Sequence, residues 1–205
     1  MIAVVDYSVG NLFSLSASLK MVGADAVITG DAMQLRNADK IILPGVGAFG
    51  DAITKLRQTG LDKVIIEEAK NGKALLGICL GMQMLFEKSY EYGEYEGLSL
   101  IRGSVRPIKP EIPDTLKVPH IGWNRLIFPH DKPKSELFKY LNEGDFMYFV
   151  HSFYAMDCDE SVTSYAEYGK LLTASVENKN VYGMQFHPEK SGEKGLSILK
   201  AFCEL

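Results

Sequence analysis

The 205-residue chain has few of the residues that build stapled or metal-bound domains: three cysteines, four histidines and one tryptophan. Cys79, Cys158 and Cys203 are odd in number and far apart. That excludes a disulfide framework and a C-x-x-C zinc or redox site, and fits a reducing compartment; the expected location is the cytoplasm. No apolar run exceeds strand length, so no membrane span is expected. Residues 1–6, Met-Ile-Ala-Val-Val-Asp, lack a basic flank and do not read as a signal peptide. Positive charge is in deficit, with 22 Lys and Arg against 26 Asp and Glu. The formal charge of −4 argues against a nucleic-acid partner, which calls for a basic face. Histidines, cysteines and carboxylates show no metal-ligand spacing, so no metal is expected.

What remains is a chain with 46% apolar residues, enough for a substantial core in one domain over 1–205. Residues 2–6, 24–29, 40–43 and 73–78 are short apolar runs, and the segments between them carry helical spacing. Leu12, Leu15, Leu19 and Val22 share one helix face, ended by Gly23; Phe49, Ile53 and Leu56 share another, ended by Gly60. Helix continues over 64–69, and a further helix is expected over 80–86. Strands alternating with helices predict βαβ units around a mainly parallel sheet, with strands buried on both faces. From 103 to 133 six prolines predict irregular or edge structure. A short helix over 135–141 then precedes four strands, at 146–150, 162–167, 171–177 and 181–186, whose close succession predicts antiparallel neighbours. A last helix runs from 192 to 202. The fold class is α/β: a mainly parallel central sheet with flanking helices, plus a smaller antiparallel strand region in the C-terminal half.

The sharpest chemical signal is Gly77-Ile78-Cys79-Leu80-Gly81, where a strand ends and a helix begins. Gly-x-nucleophile-x-Gly is the nucleophile elbow, in which a tight turn thrusts the side chain out at the carboxyl end of the sheet. The new helix points its N-terminus at the site, which favours a thiolate. A buried Cys packed as a small apolar residue is an equally good reading of the motif by itself. A thiol nucleophile needs a base and a group to orient that base. Of the four histidines, only His187 has a carboxylate two residues on, in Gln185-Phe186-His187-Pro188-Glu189. Such a carboxylate holds the imidazole in one tautomer and supports its charged form. Alone, His-Pro-Glu is most often a turn with a surface acid. A third piece, Pro44-Gly45-Val46-Gly47, ends another strand and exposes backbone N–H groups, the donors a developing oxyanion requires. All three lie at strand ends, the edge where ligands bind in open α/β sheets.

Together, Gly-Ile-Cys-Leu-Gly-Met-Gln at 77–83 and Gln-Phe-His-Pro-Glu at 185–189 resemble the class I, or triad, glutamine amidotransferases. Further blocks cover the rest of the chain in matching order: residues 6–12, 43–51, 119–124, 148–152 and 189–192. They resemble the glutaminase subunits of imidazole glycerol phosphate synthases, with Ser8 and Phe153 as small departures where Gly and Tyr are more usual. The resemblance implies Cys79 as nucleophile, His187 as general base and acid, and Glu189 as its orienter. It implies an oxyanion hole from the N–H groups of Gly47 and Leu80, bordered by Val46, whose peptide reorients to complete it. It places the α-amino and α-carboxylate groups of glutamine against Gln83 and the backbone of His151, Ser152 and Phe153. It implies no cofactor, and a heterodimer with a (β/α)8-barrel cyclase that receives the ammonia, with Trp123, Lys190 and Asn11 at the interface. An amidotransferase subunit serving another synthase (anthranilate, carbamoyl phosphate or surface-sugar amidation) and a stand-alone cysteine hydrolase are the alternatives.

Overall fold

The computed structural model describes all 205 residues. The first half alternates as the sequence predicts: β1 (Ile2–Val5), α1 (Leu12–Met21), β2 (Ala26–Thr29), α2 (Ala32–Asn37), β3 (Lys40–Gly45), α3 (Phe49–Gln58), α4 (Leu61–Lys70), β4 (Ala74–Cys79) and α5 (Leu80–Met84). The second half is richer in strands: β5 (Lys88–Ser89), β6 (Tyr95–Glu96), β7 (Ser104–Pro107), β8 (His120–Arg125), β9 (Phe146–His151), β10 (Phe153–Met156), β11 (Val162–Glu167), β12 (Leu171–Asn178), β13 (Val181–Met184) and the closing helix α6 (Gly192–Cys203). No helix is long and apolar enough to cross a membrane.

Seven strands form the main sheet in the order β11-β12-β13-β4-β3-β1-β2. From β13 to β2 every pairing is parallel; β11 and β12 extend the sheet antiparallel. The parallel strands lack polar alternation because both faces are covered. Along β1, Ala3 and Val5 point into a core shared with α3 and α4 residues such as Ile53, Leu56 and Ile65. Ile2 and Val4 point into a second core with Leu15 and Leu19 of α1 and Ile198 and Phe202 of α6. Strand β4, which ends at Cys79, therefore runs through the middle of the sheet, between two packed layers.

Four expectations need correction. The segment at 146–150 is a strand but does not join β11. It pairs antiparallel with β8, forming a separate two-stranded sheet. The region over 103–133 is less irregular than its prolines imply, since it contains β7 and β8. Its prolines fall at strand ends or outside strands, where the missing N–H costs no ladder bond. The helix expected over 135–141 is a single 3-10 turn, Glu136–Phe138, opened by Ser135 accepting from the Leu137 N–H. Helix α5 stops at Met84, short of the expected 86. One helix escaped notice: α2, six residues long, nucleated by Asp31, whose carboxylate accepts from the Met33 and Gln34 N–H groups.

Candidate active site

Cys79 sits where β4 turns into α5, with φ 54° and ψ −112°. A non-glycine residue there carries strain of about 1–3 kcal/mol, a cost that clusters at functional sites. Two glycines make the turn possible. A Cβ on Gly81 would lie 1.8 Å from the Leu43 carbonyl oxygen, and one on Gly77 would lie 2.7 Å from the Gly81 oxygen. Only bare backbone lets α5 start so close to β3 and β4.

Sheet order delivers the partners from both sides of β4. On one side β3 pairs Gly45 with Cys79, so the chain emerging through Val46 and Gly47 borders the sulfur. The N–H groups of Val46 and Gly47 take no part in the backbone hydrogen-bond network. Gly47 holds φ +89°, a conformation that favours glycine. On the other side β13 pairs Met184 with Ile78, and the chain beyond it brings in Gln185 and His187.

His187 is clamped by its neighbours. Its N–H donates to the Tyr148 carbonyl at 3.0 Å, and its own carbonyl accepts from Ser191 Oγ at 2.6 Å. Ser191 Oγ in turn accepts from the Tyr148 N–H at 3.0 Å. The ring's Nδ1 lies 2.9 Å from Glu189 Oε1, and both side chains are only 4% exposed. Burial pushes the imidazole pKa down, but hydrogen bonds and charge from Cys79 and Glu189 outweigh it and raise the value to about 10. At neutral pH the ring is therefore held protonated between sulfur and carboxylate, ready to hand on a proton.

A buried amide chain approaches the sulfur from the other side. Gln83 Nε2 donates to Gln185 Oε1 at 3.0 Å and to the Phe153 carbonyl at 3.2 Å. This leaves Gln185 Nε2 facing Cys79 Sγ at 3.7 Å. Both hydrogens of the Gln83 amide are thus committed, and its oxygen is the atom left to meet a ligand.

Cys79 and His187 open into an amino-acid-sized cavity of about 290 Å³. Val46, Gly47, Leu80, Gln83, His151, Ser152 and Phe153, all singled out in the sequence, line it with them. Glu91, Pro119 and Val150 also line it and were not foreseen. Glu91 is the informative one: a carboxylate in the cavity wall, its Oε2 accepting from the Phe49 N–H at 2.6 Å. Burial raises its pKa, partly offset by that hydrogen bond. No motif marks Glu91, because it stands among Tyr, Gly and Glu residues that read as a polar turn. Glu189 lies behind the imidazole, beside a small void shared with Asn11, Leu15 and Gly45.

Of the three residues that the resemblance assigns to an interface, Asn11 borders the void beside Glu189 and Lys190 follows Glu189 in the chain. Trp123 is 55% exposed, which removes a core role. Its ring meets Tyr148 edge-on at 6.1 Å, and Lys190 Nζ lies 5.9 Å from the same tyrosine ring. Phe13, Val46 and Ile121 add exposed apolar surface nearby in sequence to Asn11, Gly47 and Trp123. No group of three or more His, Cys, Asp or Glu side chains is arranged to hold a metal ion.

A sequence model of the family Glutamine amidotransferase class-I matches residues 3–204. Curated relatives match along all or nearly all of their length. "Imidazole glycerol phosphate synthase subunit HisH" of Wolinella succinogenes is 48% identical, covering 100% of both chains. The protein of the same description from Oceanobacillus iheyensis is 46% identical, covering 100% of this chain and 99% of its own. That from Aquifex aeolicus is 48% identical over 97% of this chain and 94% of its own. Two solved structures share the fold. A crystal structure of a glutamine amidotransferase superposes with a TM-score of 0.76 at 18% identity, covering all of both chains. The structure of PurLQS from Thermotoga maritima gives 0.73 at 23% identity, over 99% of this chain and 97% of that one. The elbow cysteine, the buried His–Glu pair and these full-length matches agree, and the chain belongs to the class-I glutamine amidotransferases, among the relatives described as imidazole glycerol phosphate synthase subunit HisH.

Proposed function

We propose that this chain hydrolyses glutamine with Cys79, His187 and Glu189, as one amidotransferase domain over 1–205, and passes the ammonia to a cyclase partner. It is the glutaminase subunit of an imidazole glycerol phosphate synthase, in histidine biosynthesis. The observation that carries the catalytic reading is the single cavity in which Cys79 and His187 meet, with Glu189 on the imidazole's far side.

The Cys79 thiolate attacks the carboxamide carbon of glutamine. The oxyanion that forms is received by the N–H groups of Gly47 and Leu80. His187 gives its proton to the departing nitrogen, and ammonia leaves. A water then enters, His187 removes its proton, and the γ-glutamyl thioester is cleaved to glutamate, restoring the thiolate. Glu189 keeps Nδ1–H in place so that Nε2 serves the sulfur and the leaving group. In the cavity, Gln83 Oε1 and Glu91 are acceptors suited to the α-ammonium of glutamine, and the backbone of His151, Ser152 and Phe153 borders the α-carboxylate. No cofactor enters this scheme.

Ammonia released to water at neutral pH becomes ammonium and is lost as a nucleophile, so the product calls for direct transfer. The acceptor in this reading is a (β/α)8-barrel cyclase. It adds the nitrogen to a phosphoribulosyl-formimino-aminoimidazole-carboxamide ribonucleotide and yields imidazole glycerol phosphate and aminoimidazole-carboxamide ribonucleotide. The two subunits work as a cytoplasmic heterodimer, joined around Trp123, Lys190 and Asn11. Support for that surface comes from the exposed Trp123 packed edge-on against the half-buried Tyr148, residue types that dominate binding energy.

Docking also switches the site. Gly45 and Gly47 flank Val46, so that one peptide can rotate at low cost and complete the oxyanion hole only when the partner binds. Glutamine turnover measured without and with the barrel subunit and its nucleotide tests this reading. The isolated chain should be slow and the complex faster by about 10²–10³-fold, the worth of one oxyanion donor. Trp123→Ala or Lys190→Ala should lower the stimulated rate more than the basal one. Full-rate hydrolysis by the isolated chain, unmoved by partner and nucleotide, would contradict the switch.

A further inference from the structure

His120 lies one layer behind the cavity and plays no part in the chemistry just described. It is 3% exposed and does not line the cavity. Its Nδ1 is 3.0 Å from Nε2 of His151, the residue directly opposite it across the β8–β9 pair. His151 Nδ1 lies 2.9 Å from the Phe153 carbonyl. At the other end His120 Nε2 is 3.3 Å from Asn124 Nδ2, which also donates to the Glu167 carbonyl at 2.9 Å. Asn124 Oδ1 is taken by the Arg125 N–H at 2.8 Å, so the amide's orientation is fixed.

These contacts admit only one placement of hydrogens. A carbonyl accepts, so His151 carries its proton on Nδ1 and its Nε2 is an acceptor. His120 must then donate from Nδ1, leaving its own Nε2 to accept from Asn124. The chain of donors runs Asn124, His120, His151, and ends on the Phe153 carbonyl, where Gln83 also donates. The His120 ring is held between Tyr168, at 4.3 Å and 26°, and Phe149, at 5.1 Å and 24°. A ring turned over within these stacks would present carbons to His151 and Asn124 and lose both hydrogen bonds.

We infer that His120, backed by Asn124, is a positioning residue for the glutaminase reaction: it locks the tautomer and orientation of His151 and thereby fixes the Phe153 carbonyl and the Gln83 amide that face the substrate's amino-acid end. The inference rests on the glutaminase reading. It concerns how glutamine is held rather than how its amide is broken, so its signature is in KM.

Two measurements test it. In protein labelled with 15N-histidine, the spectrum should show His120 and His151 neutral and protonated at Nδ1. An Nε2–H tautomer at either ring overturns the relay whatever the protein's activity. In the complex with its partner, His120→Phe keeps the aromatic stack and removes the donor. It should raise KM for glutamine about tenfold, the size expected when one buried hydrogen bond goes unmade, with kcat changed far less. His120→Asn, whose amide N–H can replace the Nδ1 donor, should recover part of that loss. If His120→Phe does not fold, Asn124→Leu removes the donor to His120 Nε2 and should shift KM in the same direction. A KM left at the wild-type value by every folded variant, or kcat falling with KM unchanged, overturns the proposal. Wild-type protein with no glutaminase activity would instead sink the functional reading and leave the tautomer result standing.

Discussion

Cys79→Ala should bring glutamine hydrolysis to the detection floor, a loss of about 10⁵-fold or more, because nothing else in the cavity can form the thioester. Gln185 offers the sulfur only an N–H, and His187 serves to move protons rather than to attack carbon. Ser152 also lines the cavity, yet it has no hydrogen-bonded base to make its hydroxyl a nucleophile. The fold should survive. Alanine keeps the Cβ, so the φ of 54° costs it no more than it costs cysteine. The sulfur lies at the cavity wall, on the margin of the core that holds Ile78 and Leu15, and the melting temperature should change by no more than about 1 kcal/mol implies. In complex with the cyclase, the variant should still support synthesis from ammonium salts, since the partner needs only ammonia. Glutamine turnover and ammonium-driven synthesis, assayed on one preparation, separate loss of chemistry from loss of structure. Measurable glutaminase activity in the variant would remove Cys79 from the mechanism.

The second large effect concerns the buried pair behind the sulfur. His187→Asn should cost nearly as much as Cys79→Ala, since both the proton donor and the base vanish. Glu189→Gln should cost about 10²–10⁴-fold, because an orienter acts through its histidine. Glu189→Gln should also change how stability depends on pH. The folded-state pKa of His187 is raised from 6.5 to about 10. A group raised on folding binds its proton more tightly in the native state. Its contribution is full below the unfolded value and fades as pH climbs towards the folded one. Glu189→Gln removes one of the two groups that raise it. The variant should therefore lose more stability at about pH 6 than at about pH 10.5, as read by thermal melts at both values. A loss equal at both pH values would mean that Glu189 is not supporting a charged imidazole. Activity as low as that of Cys79→Ala would mean that Glu189 does more than orient.

The parallel half of the fold was legible because its signals are local and redundant. Apolar runs such as residues 40–43 cannot face water on either side, and glycines such as Gly23 and Gly60 punctuate the helices. The elbow was legible for the same reason: Gly77 and Gly81 flank Cys79 in sequence, and backbone crowding at Leu43 is why no side chain fits there. The His187–Glu189 pair needed only a two-residue spacing, and the structure closes it at 2.9 Å.

What the sequence hid is non-local or lies in weakly patterned strands. Strand β8 reads His-Ile-Gly-Trp-Asn-Arg, with His120 buried, a positive-φ Gly122 and Asn124 half-buried on its inner side, so no apolar stripe announces it. It is a strand because β9 offers it a partner and His151 offers its buried histidine a hydrogen bond. His151 was singled out through the family resemblance, but its partner His120 looked like part of an irregular loop. Glu91 reaches the cavity from a distant point of the chain, and Gln185, fully buried, meets Gln83 and Cys79 only once the sheet has folded. Sequence also placed the strand at 146–150 beside its neighbours in the chain. Pairing energy went instead to β8, whose exposed residues alternate with more covered ones, as suits a two-stranded ribbon facing solvent on one side.

In the proposed reaction Cys79 attacks the amide carbon of a glutamine held in this cavity. A glutamine analogue carrying a chloromethyl ketone in place of the carboxamide reports that attack directly, because a correctly placed thiolate converts it to a stable thioether. Treated with the analogue in the presence of the partner, the wild-type chain should gain one adduct, mapped by peptide mass spectrometry to Cys79. Glutaminase activity should fall in step with the label, and excess glutamine should protect against both. Labelling of Cys158 or Cys203 with Cys79 untouched, or labelling of Cys79 that glutamine does not slow, would contradict the account.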